Sequence, residues 1–365
     1  MKLQIDVIAG ARPNFMKVAA LFSIASEFPS LKLRLIHTGQ HYDEAMSGVF
    51  LKELGLPKPV CNLGVGSSTH ATQTAQVMIG YEQWVNENRP DVCLVVGDVN
   101  STVACALVAA KMQILVAHVE AGLRSFDRTM PEELNRIVTD SLSDLLFVNE
   151  PSGVKNLMKE GVESSKVHLV GNVMIDTLLS QLEQAKKQVK YVEFGLESRQ
   201  YAFVTFHRPS NVDNSTILLE IVNQLLWLTS VIPIVFPVHP RTKHELQNAG
   251  LYEVLDASPN IHLTGPLSYT DALSMTANAR VVITDSGGLQ EETSVLKVPC
   301  LTLRDNTERP ITIDEGSNTL IAGDWALFRK KIEEIEKGIY LRGVSNIQLW
   351  DGVAAKRILT ILDAI

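Results

Sequence analysis

The stretch 281–301, "VVITDSGGLQEETSVLKVPCL", decides how the chain folds. Val281, Val282, Ile283 and Thr284 form a β-branched run that ends in Asp285. Ser286, Gly287 and Gly288 then supply a tight turn into a helical segment, and a second apolar run begins at Cys300. Strand, Ser-Gly-Gly turn, helix and strand make a βαβ unit. Backbone N–H groups at the start of such a helix form a seat for an anion. Two acids, Glu291 and Glu292, follow one turn later. They can accept hydrogen bonds from a ribose, or they can simply complement the helix dipole.

The same rhythm runs through the chain. Strand candidates fall at 3–8, 33–38, 92–96, 114–119, 145–148 and 167–169, then at 202–206, 232–237, 261–263, 281–284, 300–303 and 319–321. These runs are near-continuous in Val, Ile and Leu rather than alternating. Strands of that kind are buried on both faces, as in parallel sheets covered by helices. Two series of about six strands predict an α/β protein of two doubly wound, Rossmann-like domains facing a cleft. The join is expected near "GNVMID" at 171–176. The first domain then covers 1–171, with an amphipathic helix near 350–365 returning to it, and the second covers 172–349.

Composition narrows the function. With 365 residues, 45% hydrophobic and 20% charged, the chain has material for a sizeable core. A formal net charge of −8 argues against broad nucleic-acid binding. No apolar run approaches the roughly 18 residues of a membrane span. The start of the chain reads as a first strand rather than a signal peptide, because Asp6 interrupts it. Cys61, Cys93, Cys105 and Cys300 lack metal-ligand spacing and fit inert thiols in a reducing cytoplasm. Neither Gly-x-Gly-x-x-Gly nor a Walker loop is present, which disfavours nicotinamide cofactors and ATP.

Ligands of open parallel sheets bind beyond the carboxyl ends of the strands, and the unusual polar residues gather there. Arg12 and Lys17 lie in "GARPNFMK", Asp98 in "GDVNST", Glu120 in "HVEAGLRS", and Glu132, Glu133 and Arg136 in "MPEELNR". In the second half, "HRPSN" holds His207 and Arg208, "PVHP" holds His239, and "RDNTERP" holds Arg304 and Arg309. Each segment has a plainer reading: a turn with solvated charges, a helix cap, a satisfied core histidine. Asp98 and Glu120 at the ends of neighbouring strands would form a coupled acid pair. The histidines and arginines beside the Ser-Gly-Gly turn would form a cationic pocket.

Together with "TGQHYDEAM" at 38–46, these motifs in this order resemble the non-hydrolysing UDP-N-acetylglucosamine 2-epimerases over nearly the whole chain. The resemblance implies the two-domain fold of nucleotide-sugar glycosyltransferases (GT-B), a homodimer, and neither metal nor redox cofactor. It implies reversible C2 epimerisation of UDP-N-acetylglucosamine to UDP-N-acetylmannosamine for surface polysaccharide synthesis, through elimination and re-addition of UDP. Arg12 and Lys17 match residues at the ligand. Asp98, Glu120 and Glu132 match the catalytic acids, with Arg136 supporting them, and His207 matches a histidine at the diphosphate. Ser286, Gly287 and Gly288 match the phosphate turn, Glu292 the ribose acid, and Arg309 the "TERP" arginine. Many family members bind a second nucleotide sugar as activator through a His-Arg-Arg-Glu motif. Here Pro209 replaces the second arginine and Tyr42 replaces another, so the resemblance does not carry that activator site over. A glycosyltransferase of the same fold, a hydrolysing epimerase and a nucleotide-sugar-binding regulator are the rival readings.

Overall fold

The computed structural model describes residues 2–39, 51, 53–340 and 346–365. "TGQHYDEAM" therefore lies outside the described residues from position 40 onward, Tyr42 included. The described chain divides into two compact units, Met1–Thr177 with Gln348–Ile365, and Leu178–Ile347.

The first unit is built on strands β1 (Leu3–Ala9), β2 (Leu31–His37), β3 (Cys61–Asn62), β4 (Val92–Val96), β5 (Leu115–Ala121), β6 (Leu145–Val148) and β7 (Val167–Leu169). They run parallel in the order β3-β2-β1-β4-β5-β6-β7. The order reverses at β1 and β4, so the carboxyl ends of β1, β4 and β5 surround the switch point where such sheets take ligands. All five residues of β4 are buried, as its unbroken apolar run requires. Strand β3 has only two residues, too few for any periodic signal, and the sequence did not announce it.

The helix Ala354–Asp363 completes this unit. Ala354, Ala355, Ile358, Leu359 and Leu362 are its buried face, and it packs on the helix Arg12–Ser23. Its first turn is capped from elsewhere in the chain: the Asp176 carboxylate accepts from the N–H groups of Ala354 (3.1 Å) and Ala355 (2.7 Å).

The second unit holds β8 (Ala202–Thr205), β9 (Ile234–Pro237), β10 (Ile261–Thr264), β11 (Val281–Thr284), β12 (Cys300–Thr302) and β13 (Asn318–Leu320). These too are parallel, in the order β10-β9-β8-β11-β12-β13, with the reversal at β8 and β11. Phe206 and Phe236 stack in its core, 4.9 Å between centroids. Each unit is thus a doubly wound α/β sheet. No helix among the described residues is long and apolar enough to cross a membrane.

Candidate active site

In the first unit, the polar residues at the ends of β1, β4 and β5 form a connected group. Arg12 opens the helix Arg12–Ser23, and its side chain lies outside the described set. Asn14, two residues on, joins the turn to the sheet. Its Oδ1 accepts from the Ala11 N–H at 3.0 Å and its Nδ2 donates to the Val96 carbonyl at 3.1 Å. Lys17, one helical turn further, is buried and forms an ion pair with Oε2 of Glu120. Glu120 sits in an irregularity of β5 with φ +77°, a left-handed backbone costly for a glutamate. Gly97 packs against the pair so closely that a Cβ there would lie 2.7 Å from Lys17 Nζ.

The next residue is Asp98, whose carboxylate accepts from Arg136 Nη1 at 2.6 Å. Arg136 reaches back through Nη2 to Glu133 at 2.8 Å. Glu133 in turn accepts from the N–H groups of Ser125 (2.8 Å) and Phe126 (3.0 Å) and from the Ser125 hydroxyl. Burial would raise the Glu133 pKa, but these backbone donors and Arg136 hold it below the ordinary value. Glu133 therefore fixes the loop and Arg136, while Glu132 beside it is exposed and has no hydrogen bond or ion pair among the described residues. The helix Pro131–Leu142 puts adjacent glutamates on different faces. This structural role of Glu133, and that of Asn14, had no signal in the sequence, since both act on backbone from other segments.

In the second unit the Ser-Gly-Gly turn opens the helix Gly287–Leu296 directly after β11. The Ser286 N–H is already engaged, donating to Thr284 Oγ1 at 3.0 Å. The expected three-amide cradle thus reduces to Gly287 and Gly288, in the first turn where a helix offers no carbonyl partner. A Cβ at Gly287 would stand 2.6 Å from Arg309 Nη1, so the Arg309 guanidinium lies against the turn itself. Arg309 donates through Nε to Glu291 at 2.7 Å and pairs with Glu308. Glu308 also pairs with Arg304 at 2.8 Å and lies 4.0 Å from Arg208. Burial would raise Glu308, yet the arginines hold its pKa well below the usual range. Three guanidinium groups, those of Arg208, Arg304 and Arg309, thus gather beside the turn with the carboxylates of Glu291 and Glu308, and Asp285 next to Arg208 supplies a third carboxylate. Arg241, by contrast, pairs with exposed Asp213 and does not join them.

The structure also separates the two adjacent glutamates. Glu291 is taken by Arg309, whereas Glu292 is buried beside Tyr269, and burial followed by the nearby Glu291 charge pushes its pKa up to about 8. His207, just past β8, has a half-exposed ring 5.2 Å from that of His239. A family model for UDP-N-acetylglucosamine 2-epimerase matches residues 25–363.

The chain belongs to the UDP-N-acetylglucosamine 2-epimerase family.

Relatives within the family agree over nearly full length. A Methanocaldococcus jannaschii protein named UDP-N-acetylglucosamine 2-epimerase is 41% identical over 336 residues, 91% of this chain and 92% of its own. A crystal structure of the M. jannaschii UDP-GlcNAc 2-epimerase in complex with UDP-GlcNAc and UDP superposes with a TM-score of 0.89 at 38% identity, covering all of both chains. A Pseudomonas aeruginosa relative, 37% identical over 323 residues (87% of this chain, 88% of its own), is named UDP-2,3-diacetamido-2,3-dideoxy-D-glucuronate 2-epimerase. The epimerase family thus spans more than one sugar, and the shared part of those two names is a UDP sugar inverted at C2.

Proposed function

We propose that the chain catalyses the reversible C2 epimerisation of UDP-N-acetylglucosamine to UDP-N-acetylmannosamine without releasing the sugar, by eliminating UDP to a glycal and re-adding it. The observation that carries this reading is the pair of acids at the ends of neighbouring strands, Asp98 held by Arg136 and Glu120 held by Lys17. A binding module has no need of two such acids. The resemblance in sequence extends the reading to a homodimer that needs no metal or redox cofactor, acts in the cytoplasm and supplies a surface polysaccharide precursor.

The chemistry explains the residues. The C2 hydrogen of the sugar is not beside a carbonyl, and a carboxylate cannot remove it directly. If the C1–O bond to UDP breaks first, positive charge at C1 acidifies that hydrogen. Departing UDP must then be stabilised, the role assigned to the Gly287–Gly288 amides, the arginine cluster and His207. Loss of the C2 proton gives a C1=C2 glycal. UDP returns to C1 while a proton arrives on the other face of C2. Removal and delivery of a proton on opposite faces call for two acid–base groups or one mobile group, and Asp98 and Glu120 are the candidates for that task. Glu132 remains a third candidate from the family motif.

Incubation with UDP-N-acetylglucosamine in D₂O tests the reading. Deuterium should appear at C2 of UDP-N-acetylmannosamine and of recovered substrate, with little free UDP. A glycosyltransferase would leave C2 unlabelled, and a hydrolysing epimerase would accumulate UDP and free N-acetylmannosamine. Turnover only of the 2,3-diacetamido uronate named for the P. aeruginosa relative would keep the reaction and replace the sugar.

A further inference from the structure

His118 and Asp140 form a fully buried pair that the proposed chemistry does not use. His118 lies on β5, two residues before Glu120. Its Nε2 is 2.8 Å from the carbonyl oxygen of Gly97, and its Nδ1 is 2.7 Å from Asp140 Oδ1. The second oxygen of Asp140 accepts from the Gly122 N–H at 3.1 Å and pairs with Arg124 at 2.7 Å. Arg124 continues to Glu160.

The two backbone groups at the ends of this chain are the informative ones. Gly97 immediately precedes Asp98, and Gly122 lies two residues beyond Glu120. Gly97 is already tied to β5 through its N–H, which donates to the Val119 carbonyl at 3.0 Å. With His118 on its carbonyl, the peptide that launches Asp98 is clamped from both sides. Gly122 is likewise held on both sides, since its carbonyl accepts from Asn156 Nδ2 at 2.9 Å. Between these clamps Glu120 keeps its left-handed backbone. An apolar side chain could fill the place of His118 without the desolvation cost of a buried polar pair. It could not hold two peptide groups on separate loops.

We infer that His118 and Asp140 are positioning residues that set the two acid-bearing strand ends, His118 through Gly97 for Asp98 and Asp140 through Gly122 for Glu120. This rests on the reading that Asp98 and Glu120 act on the substrate. Burial would raise the Asp140 pKa, but His118 and Arg124 hold it below the ordinary carboxylate value, so it remains an acceptor through the working range.

The test separates the two arms. In His118→Gln the amide nitrogen reaches the place of Nε2 and keeps the bond to Gly97. In His118→Asn it takes the place of Nδ1 and keeps only Asp140. Asp140→Asn retains an oxygen for His118 and turns an NH₂ toward Gly122. His118→Asn should lower kcat about a hundredfold, the cost of a misplacement of roughly 1 Å, with KM changed less than about threefold. His118→Gln should lose about tenfold or less. Hydrogen–deuterium exchange read by mass spectrometry should quicken around Gly97–Asp98 in His118→Asn, and around Glu120–Gly122 in Asp140→Asn. UDP affinity, a property assigned to the second unit, should stay at the wild-type value and report folding in each variant.

Equal loss of activity in His118→Asn and His118→Gln, in step with lost thermal stability, would reduce the pair to a structural core element. So would exchange that quickens in both loops of every variant. If the wild type fails to epimerise the nucleotide sugar while the loop-specific exchange pattern appears, the functional reading falls and the positioning stands.

Discussion

Asp285 Oδ1 lies 3.2 Å from Nδ1 of His207. The other oxygen of the same buried carboxylate accepts from the main-chain N–H groups of His207 (2.9 Å) and Arg208 (2.8 Å) and from Asn211 Nδ2 (2.9 Å). One strand-end acid thus fixes the His207 ring, its backbone and the neighbouring helix of the loop proposed to meet the diphosphate. Asp285→Asn leaves one oxygen where four donors converge. UDP affinity should fall at least about tenfold, near 1.4 kcal/mol, by isothermal calorimetry. Unchanged affinity in a folded variant would mean that His207 and Arg208 do not meet the diphosphate.

Asp98→Asn and Glu120→Gln should act on turnover and leave UDP binding in place. Each should lower kcat and kcat/KM together by about a hundredfold or more while UDP binding changes less than about twofold. Retention of more than about a tenth of wild-type kcat by both variants would remove these acids from the proton transfers.

The Lys17–Glu120 pair is nearly excluded from water on both sides. Breaking such a pair strands a buried charge, at a cost of about 3–5 kcal/mol, whereas removing both charges costs far less. Lys17→Met should therefore destabilise the protein strongly, and Lys17→Met with Glu120→Gln should recover most of the loss. Urea titrations of the four proteins give the coupling energy. Additive effects would show that the two groups do not depend on one another.

Glu292 gives a pH signature. Its pKa of about 8 in the free protein keeps it protonated at neutral pH, whereas a carboxylate accepting from ribose hydroxyls is favoured when ionised. Binding a UDP sugar should then release protons, and affinity should rise toward pH 8 and level off above it. Calorimetry in buffers of different ionisation heat reads the proton count. Glu292→Gln should bind more weakly, with no proton release. The stability linkage has the opposite sense. Because the folded pKa is raised, its contribution is fully present below the ordinary value of 4.5 and is lost as pH rises to about 8. A wild type that binds without proton release between pH 6 and 8 would take Glu292 away from the ribose.

The sequence by itself determined the doubly wound α/β architecture, the strand ends that carry Asp98, Glu120, His207 and Ser286, and the family. Those depend on local features: unbroken Val/Ile/Leu runs, Gly-containing turns at fixed offsets, and the order of short motifs. Tertiary structure alone decided which member of each polar pair does what. "PEE" does not say that Glu133 is buried on the Ser125–Phe126 backbone while Glu132 is exposed. "QEE" does not say that Glu291 is consumed by Arg309 and Glu292 left beside Tyr269. Nor does "SGG" reveal that the Ser286 amide is spoken for by Thr284. His118 could be read as a satisfied core histidine, but its partners, Gly97 and Asp140, are brought to it only when β4, β5 and the following helix pack. The physical reason is common to all four. Secondary structure is set by periodicity along the chain, whereas the state of a buried charge is set by donors from distant segments, which exist as neighbours only in the folded molecule.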